Sequence, residues 1–202
     1  EHERDGDRGV QPAPDRDVHV VSGDRCGEPP VHDREHRVDS DRPCEEETLV
    51  TLDLNSLVEE AVSMTRPRWK QQAQAKGANI EVERDLGDIE KIWGNEAELH
   101  EMLTNLIFNA VDAMPEGGTL SLRTGREDRK VILEVSDTGV GMSEDDRQHC
   151  LEPFFTTKQE AGTGLGLSTV RGIIERHEGD IEVESEEGKG TTFRIHLLAG
   201  EE

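Results

Sequence analysis

An amphipathic helix with an unusual polar side is the feature that most constrains the fold of this chain. Between positions 95 and 113, Glu101, Asn105 and Asn109 follow one another at four-residue spacing, so their side chains share one helix face. Asp112 extends this polar stripe. The opposite side carries apolar side chains, namely Leu99, Met102, Leu103, Leu106, Ala110 and Ala113. Such a helix has to lie between an apolar core and a polar surface or pocket.

Two interpretations of the polar stripe are open at this point. Carboxamides beside a carboxylate suit the wall of a polar pocket, where they coordinate a hard cation through oxygen or hold a water beside a base. An ordinary polar helix face that happens to carry two asparagines would show the same pattern. Motifs further along the chain are needed to choose between them.

The apolar residues of the chain are distributed unevenly. Residues 1–47 contain no Leu, Ile, Phe, Met, Trp or Lys, and their apolar side chains are six Val, one Ala and two Cys. Such a segment cannot bury enough apolar surface to offset its ordering entropy, so we expect it to be disordered. A coding sequence read in the wrong frame would explain the same composition. Residues 48–200, where Leu and Ile appear and periodicity begins, are the predicted domain.

The charge of the chain limits its partners. A net charge of −23 and an isoelectric point near 4.6 argue against nucleic acid or an anionic membrane surface, because the field repels polyanions. A small anion such as ATP is compatible if it arrives with Mg²⁺ and binds through local backbone donors. The sequence has no apolar run near the ~20 residues of a membrane span and no secretory signal. Three cysteines without CxxC spacing give no zinc motif, and we expect a reduced, cytoplasmic setting.

The pattern after residue 48 alternates short strands with helices. Strands are predicted at 49–52, 80–82, 91–93, 120–122, 131–135, 181–183 and 193–197. Helices are predicted from about 55 to 77, from 95 to 113, from 144 to 150 and from 165 to 177. The last strands follow each other through tight turns. We therefore predict an α+β fold with a mixed, mostly antiparallel sheet and helices packed on one face.

Local signals predict further details of the first two helices. Pro67 should kink or restart the first helix, and Gly77 should end it. The apolar side of that helix is predicted to comprise Leu57, Val58, Ala61, Val62 and Met64. Asn95 is predicted to cap the second helix, with Glu98 completing a capping-box pattern.

Three glycine or aromatic motifs follow the Asn-bearing helix. Residues 137–141 read DTGVG directly after a strand, where a buried Asp can accept a hydrogen bond from an exocyclic amine and glycines permit close approach. Residues 162–168 read GTGLGLS at a helix start, where bare N–H groups suit a phosphate. Residues 153–158 read PFFTTK, two aromatics followed by a cation. Each alone has an ordinary explanation as a turn, a helix start or an apolar plug, and none is a P-loop or a Rossmann fingerprint.

The order of these motifs is more informative than any one of them. The Asn-bearing helix, DTGVG, PFFTTK, GTGLGLS and then GKGTTF at 188–193 occur in series. This series resembles the ATP-binding catalytic domain of sensor histidine kinases, within the wider superfamily that includes DNA gyrase, heat-shock chaperone ATPases and mismatch-repair proteins. The resemblance covers roughly residues 48–198, and the PFFTTK form with its short lid is similar to the nitrogen-regulator subtype. It implies a two-layer α/β sandwich of the Bergerat type.

The resemblance implies a role for each matching residue at the phosphate end of a nucleotide. Asn109 would coordinate a Mg²⁺ that bridges the ATP phosphates, and Asn105 would support it from one turn earlier. Glu101 would act as a general base or orient the phosphoacceptor. Such positioning and charge stabilisation are physically sufficient for phosphoryl transfer.

The resemblance also implies an adenine site. Asp137 would accept the adenine amine, Gly139 and Gly141 would shape the pocket, and Thr191 would lie near the base, through water in one arrangement. Asp112 stands where many relatives carry Lys or Arg, which leaves the phosphate counter-charge to Mg²⁺ and nearby cations.

A lid over the phosphates is implied by the same likeness. Its hinge and phosphate cradle would be formed by three glycines, Gly162, Gly164 and Gly166. Leu165 and Leu167 would pack beneath them, and Lys158 would neutralise phosphate charge.

The partners implied by the resemblance are a phosphoacceptor His domain and a response regulator. In this family the phosphoacceptor His lies upstream on a helical hairpin that also dimerises the intact kinase. No such hairpin is evident in this sequence, and residues 1–47, if frameshifted, would be its remnant. Two other functions share the fold: a nucleotide-binding regulatory module without phosphotransfer, and a serine kinase of the anti-sigma type. The run DLNSLVEEAV at 53–62 is similar to the start of sensor kinase catalytic domains and favours them.

Overall fold

The computed structural model describes residues 49–75, 77–157 and 163–200. The prediction for residues 1–47 therefore lies outside the described residues, as do the predictions for Lys158 and Gly162. None of the helices in the described part of the chain combines the length and the apolar character needed to cross a membrane.

Eleven elements occur in the described residues. The helices are α1 (Leu54–Ala75), α2 (Glu96–Ala113), α3 (Glu144–His149) and α4 (Gly166–Arg176). The strands are β1 (Val50–Leu52), β2 (Ile80–Leu86), β3 (Ile92–Gly94), β4 (Gly118–Glu127), β5 (Lys130–Asp137), β6 (Asp180–Glu186) and β7 (Gly190–Leu198). Every predicted helix and strand is thus confirmed, with boundaries that differ by a few residues.

The five strands β2, β4, β5, β7 and β6 form one sheet in that spatial order. Only the β2–β4 pair within it is parallel, with Ile80 opposite Gly118, and the other three pairs are antiparallel. This confirms the predicted mixed, mostly antiparallel sheet. The first strand, β1, joins β3 in a separate two-stranded antiparallel sheet.

The helices pack on one face of the five-stranded sheet. In β5, Val131, Leu133 and Val135 are buried and alternate with half-buried residues, because successive strand side chains point to opposite faces. Helix α2 packs against both α1 and α4, and its apolar side meets the sheet. The arrangement is the predicted α+β fold, a helical layer on a sheet.

Helix α1 differs from its prediction in two respects. It continues through Pro67 to Ala75, so Pro67 does not restart it, and it ends just before Gly77, whose φ is +70°. Met64 is 75% exposed, so its assignment to the apolar side is wrong. A stripe with a 3.6-residue period passes instead through Thr65, whose buried hydroxyl donates to the Ala61 carbonyl at 2.7 Å.

Candidate functional site

Helix α2 begins with only one of the two capping contacts that the sequence predicts. The Asn95 side chain accepts hydrogen bonds from the N–H groups of Ala97 and Glu98, at 3.0 and 3.3 Å. The predicted capping box is wrong, because the Asn95 N–H donates to His177 Nε2 at 2.9 Å instead of meeting Glu98. The Glu98 Oε1 atom lies 2.7 Å from Arg176 Nε. Contacts with the end of α4 thus replace a local motif.

The polar stripe of α2 faces away from the core. Asn105 and Asn109 are half-buried, and Glu101 is exposed. Within the part of the chain that the structure describes, neither carboxamide has a hydrogen-bond partner. The side beneath the stripe is fully buried at Leu99, Met102, Leu103 and Leu106. The core therefore holds the helix in place while the two carboxamides keep their hydrogen-bonding capacity for a ligand.

Gly166, the first residue of α4, lies against both carboxamides. A methyl group placed on its Cα would lie 3.7 Å from Asn105 Oδ1 and 3.7 Å from Asn109 Nδ2. Within the described residues no side chain caps this end of α4, and the Thr169 hydroxyl donates back to the Leu165 carbonyl. The first N–H groups of α4 are thus available to an anion beside two amide groups.

The two leucines of the GTGLGLS motif have different surroundings. Leu167 is partly buried against the core. Leu165 is 42% exposed, so the prediction that it packs beneath the glycines is wrong. Leu165 is the residue before the helix, where the helical period that buries the following side chains has not yet begun.

Gly164 brings the two ends of the PFFTTK-to-GTG segment together. Its φ is +65°, and a side chain there would collide with the backbone of Phe154, 2.5 Å from the Phe154 carbonyl carbon. The Phe154 N–H donates to the Gly164 carbonyl at 2.9 Å. Phe154 itself has a φ of +66° and is 76% exposed. Only glycine permits this close approach.

Asp137 ends β5 as a buried carboxyl, only 5% exposed. It lies opposite Thr191 of β7, which is also buried. Its Oδ1 accepts the Gly139 N–H at 2.8 Å. Burial raises the pKa of the Asp137 carboxyl above its ordinary value, and hydrogen bonds from the N–H groups of Gly139 and Thr191 oppose that rise. The result is a fixed acceptor at the edge of the sheet.

The DTGVG loop is wedged between α2 and the turn that joins β6 to β7. A side chain on Gly139 would overlap the Ala113 carbonyl, and one on Gly141, whose φ is +66°, would overlap the Glu186 carbonyl. The Val140 N–H donates to Ala113 at 2.9 Å. The two glycines thus allow three backbone segments to meet beside the C-terminal end of α2.

The predicted site residues form two groups at the C-terminal half of α2. Asn105, Asn109 and Gly166 make one group. Asp137, Gly139, Gly141 and Thr191 make the other, and it meets α2 at Ala113, one turn beyond Asn109. Glu101 lies two turns before Asn109, about 12 Å along the helix axis, so it is not part of either group.

Residues 94–201 match the family of histidine kinase-, DNA gyrase B- and HSP90-like ATPases. The match spans more than half of the chain, and it contains both groups of site residues. The chain belongs to this ATPase family. Family membership confirms that the chain carries the ATP-binding catalytic domain that its motifs resemble.

Curated relatives are sensor and sporulation kinases. Sporulation kinase E of Bacillus subtilis is 44% identical over 127 residues, which cover 62% of this chain and 17% of that protein. Sensor kinase CckA of Brucella abortus is 42% identical over 142 residues, covering 62% of this chain and 15% of that protein. Sporulation kinase C of B. subtilis is 32% identical over 152 residues, covering 74% and 34%. The chain spans about a third or less of these relatives.

Solved structures share the fold. The catalytic domain of histidine kinase ThkA has a TM-score of 0.65 at 26% identity, covering 75% of this chain and 95% of that one. Full-length ShkA in complex with AMPPNP has a TM-score of 0.65 at 29% identity, covering 76% of this chain and 32% of that one.

Sequence reasoning missed a polar residue of the ATPase domain, Ser185 of β6. Its hydroxyl group accepts the Met142 N–H at 2.9 Å and donates its hydrogen to the Gly190 carbonyl at 3.0 Å, and Oγ lies 2.9 Å from Thr191 Oγ1. Since Ser185 uses its hydrogen on Gly190, Thr191 is the donor in their contact. The pairing of Ser185 with Thr191 across β6 and β7 could have indicated this only once the strand register was known.

Proposed function

We propose that this chain binds Mg-ATP and, as the catalytic domain of a two-component sensor histidine kinase, transfers the γ-phosphoryl group to a histidine on a separate dimerisation domain. The observation that carries the proposal is the placement of Gly166 against Asn105 and Asn109. Among the described residues this helix N-terminus has no side-chain cap and the two carboxamides have no hydrogen-bond partner, and such groups are the ones needed beside a metal-bound triphosphate.

The residues of the phosphate end fit a magnesium ion. Mg²⁺ prefers oxygen ligands and keeps several waters, so a single amide oxygen beside phosphate oxygens is a sufficient protein contribution. Asn109 would supply that oxygen, and Asn105 would hold a metal-bound water or a phosphate oxygen one turn away. The ion would neutralise charge on the phosphates, while the N–H groups of α4 bind phosphate oxygens directly.

The residues of the second group fit an adenine base. Asp137 is acceptor-only when ionised, so it selects a ligand that presents N–H groups, as the exocyclic amine of adenine does. Thr191, whose hydroxyl hydrogen is directed at Ser185, offers its lone pairs to the base or to a bridging water. Gly139 and Gly141 would let the base approach the backbone closely.

A lid between Phe154 and Gly164 would close over the phosphates. The contact between these two residues supports a hinge at this point, and the exposed Leu165 lies beside it. The hinge and phosphate cradle of the lid would include Gly164 and Gly166 as well as Gly162, which, like Lys158, lies outside the described residues.

The exposed Glu101 would serve chemistry rather than binding. It lies about two turns from Asn109, which leaves room for an incoming imidazole, and it would act as a general base or orient that ring. From the family resemblance we also propose a dimeric intact kinase, a response regulator as phosphoryl acceptor and a cytoplasmic location. We also propose residues 48–200 as the domain, with residues 1–47 outside it.

A phosphotransfer assay tests this function. The full chain is incubated with Mg²⁺, γ-labelled ATP and a separately purified sensor-kinase dimerisation domain that carries the phosphoacceptor histidine. We expect acid-labile, alkali-stable label on that domain. Binding of Mg-ATP without transfer would instead indicate a nucleotide-dependent regulatory module, and acid-stable label on a serine would indicate a kinase of the anti-sigma type.

A further inference from the structure

A buried histidine connects the two helices of the phosphate site at their far ends. The His177 side chain is 1% exposed and follows the last residue of α4. Its Nε2 atom lies 2.9 Å from the backbone N of Asn95, the residue that caps α2, and its Nδ1 atom lies 2.8 Å from the Ile173 carbonyl oxygen. One ring thus bonds the N-terminus of α2 to the C-terminus of α4.

The two hydrogen-bond partners of His177 determine which ring nitrogen carries the hydrogen. A backbone N–H can only donate, so Nε2 of His177 has to accept the hydrogen bond from Asn95. The ring hydrogen therefore lies on Nδ1, where it is donated to the Ile173 carbonyl. Each nitrogen makes the hydrogen bond that its tautomer allows, and no other arrangement satisfies both partners.

Close packing surrounds the same contact. A side chain on Gly94 would come within 2.7 Å of Leu99 Cδ1 and 3.1 Å of His177 Cδ2. Beside the ring, the Glu98 carboxylate of α2 pairs with Arg176 of α4, and only 14% of the Glu98 side chain is exposed. The N-terminus of α2 and the C-terminus of α4 are thus closely packed and held together by hydrogen bonds and an ion pair.

The two helices run antiparallel, so their opposite ends meet at the phosphate site. The end of α4 that begins at Gly166 lies against Asn105 and Asn109. A helix of 11 residues is about 16 Å long, so a tilt of about 5° at the His177 end would move the Gly166 end by about 1.4 Å. A displacement of that size is large for a phosphate cradle.

We propose that His177 is a positioning residue for the phosphate site: its bond to Asn95 sets the spacing between Gly166 and the two asparagines. This inference rests on the proposed Mg-ATP function and extends it to a residue that touches neither metal nor nucleotide. The adenine site depends on it less, because Asp137 and Thr191 are held by the β5–β7 pairing of the sheet.

Two substitutions separate the two bonds of the ring. In His177→Asn the amide takes the place of Nδ1, so the bond to Ile173 within α4 is kept and the bond to Asn95 is lost. In His177→Gln the amide oxygen reaches the place of Nε2 and can accept the Asn95 N–H again. His196→Asn is a matched control, because His196 lies on β7 between residues that face the core and therefore points to the other side of the sheet.

The experiment measures the dissociation constant of ATP for the full chain by NMR titration, once with Mg²⁺ and once with EDTA. The ratio of the two constants is the gain due to Mg²⁺. We expect His177→Asn to reduce that gain about tenfold with the EDTA constant within about twofold of wild type, and we expect His177→Gln and His196→Asn to keep it.

Any other result contradicts either the proposed Mg-ATP function or the positioning role of His177. If wild type shows no gain from Mg²⁺, the proposed function fails before His177 is at issue. Suppose that wild type shows the gain. His177 does not position the phosphate site if His177→Asn keeps the gain, or if it weakens ATP binding equally with Mg²⁺ and with EDTA. The same conclusion follows if His177→Gln does not restore the gain. Circular dichroism checks folding. Should His177→Asn not fold, His177→Leu takes its place, because leucine fills the same space without an acceptor for the Asn95 N–H, and an unchanged gain in that variant overturns the proposal as well.

Discussion

Gly166 lies directly against Asn109: a methyl group on Gly166 would stand 3.7 Å from Asn109 Nδ2. That separation is an ordinary van der Waals contact, so alanine fits without moving the helices. The methyl group would nevertheless fill the space in front of the first N–H groups of α4. We therefore expect Gly166→Ala to fold normally and to bind Mg-ATP about tenfold more weakly or worse, as measured by calorimetric titration.

Gly172→Ala in the same helix is the control for that substitution. A methyl group at Gly172 would lie 3.5 Å from the end of the Arg176 side chain and far from the asparagines. Replacing a helical glycine by alanine stabilises by roughly 0.5–1 kcal/mol, so this variant should melt at a higher temperature and bind Mg-ATP as wild type does. Equal affinity of both alanine variants would exclude Gly166 from the phosphate site.

Asp137→Asn should weaken ATP binding by on the order of tenfold or more, because a charged acceptor for the adenine amine is replaced by a neutral one. The amide oxygen can still accept the N–H groups of Gly139 and Thr191, so the fold should persist. Titration with ATP and with GTP measures the effect. An unchanged affinity for ATP would remove Asp137 from the base site.

The same substitution should change how stability depends on pH. Because the pKa of Asp137 is raised in the folded state, the folded chain holds this proton to higher pH than the unfolded chain does. The contribution of the carboxyl to the free energy of unfolding is therefore full below its ordinary pKa and falls as pH rises through the raised one. Urea unfolding at several pH values should show Asp137→Asn gaining stability relative to wild type as pH rises through that window. A relative loss over the same window would contradict the assigned direction.

The core beneath the polar stripe can be tested apart from the ligand. Leu103 is fully buried on α2, and Leu103→Ala should lower the free energy of unfolding by about 2–5 kcal/mol. Met64→Ala is the matched control on α1, since Met64 is 75% exposed, and it should change stability by less than about 0.5 kcal/mol. Denaturant unfolding measures both. A large loss in Met64→Ala would mean that α1 packs on a different side.

Substitution of Glu101 should lower phosphoryl transfer and leave ATP binding unchanged. Since it is exposed and stands about two turns from Asn109, Glu101→Ala is expected to leave the dissociation constant of Mg-ATP within about twofold of wild type. Transfer to the supplied phosphoacceptor domain should fall by about 10²-fold or more, the usual contribution of a general base. A loss of affinity equal to the loss of transfer would contradict this division of roles.

The parts of the fold that the sequence predicts well depend on local periodicity. The stripe of α2 and the alternation of β5 follow from residues three to four apart or two apart, so their core faces could be identified in advance. The mispredicted contact at the start of α2 is tertiary. Asn95 meets His177 across 82 positions, and that partner takes the place of the capping box expected from Glu98. Nothing near Asn95 in the sequence indicates it.

In the candidate site, too, local features could be predicted from the sequence and tertiary contacts could not. Glycines that precede a helix or follow a strand mark places of close approach, and Gly139, Gly141 and Gly164 are indeed pressed against backbone. Which segment each one meets depends on the sheet order, which periodicity does not reveal. For that reason the contact between Gly166 and the asparagines could be expected only from the family resemblance.

Calorimetric titration of ATP into the full chain and its Asn109→Ala variant, with Mg²⁺ and with EDTA, measures whether Asn109 holds a magnesium ion beside the nucleotide. We expect wild type to bind ATP with a roughly micromolar to millimolar dissociation constant that Mg²⁺ lowers, and we expect Asn109→Ala to lose this effect of Mg²⁺. No binding by wild type in the presence of Mg²⁺, or an equal effect of Mg²⁺ on both proteins, would contradict it.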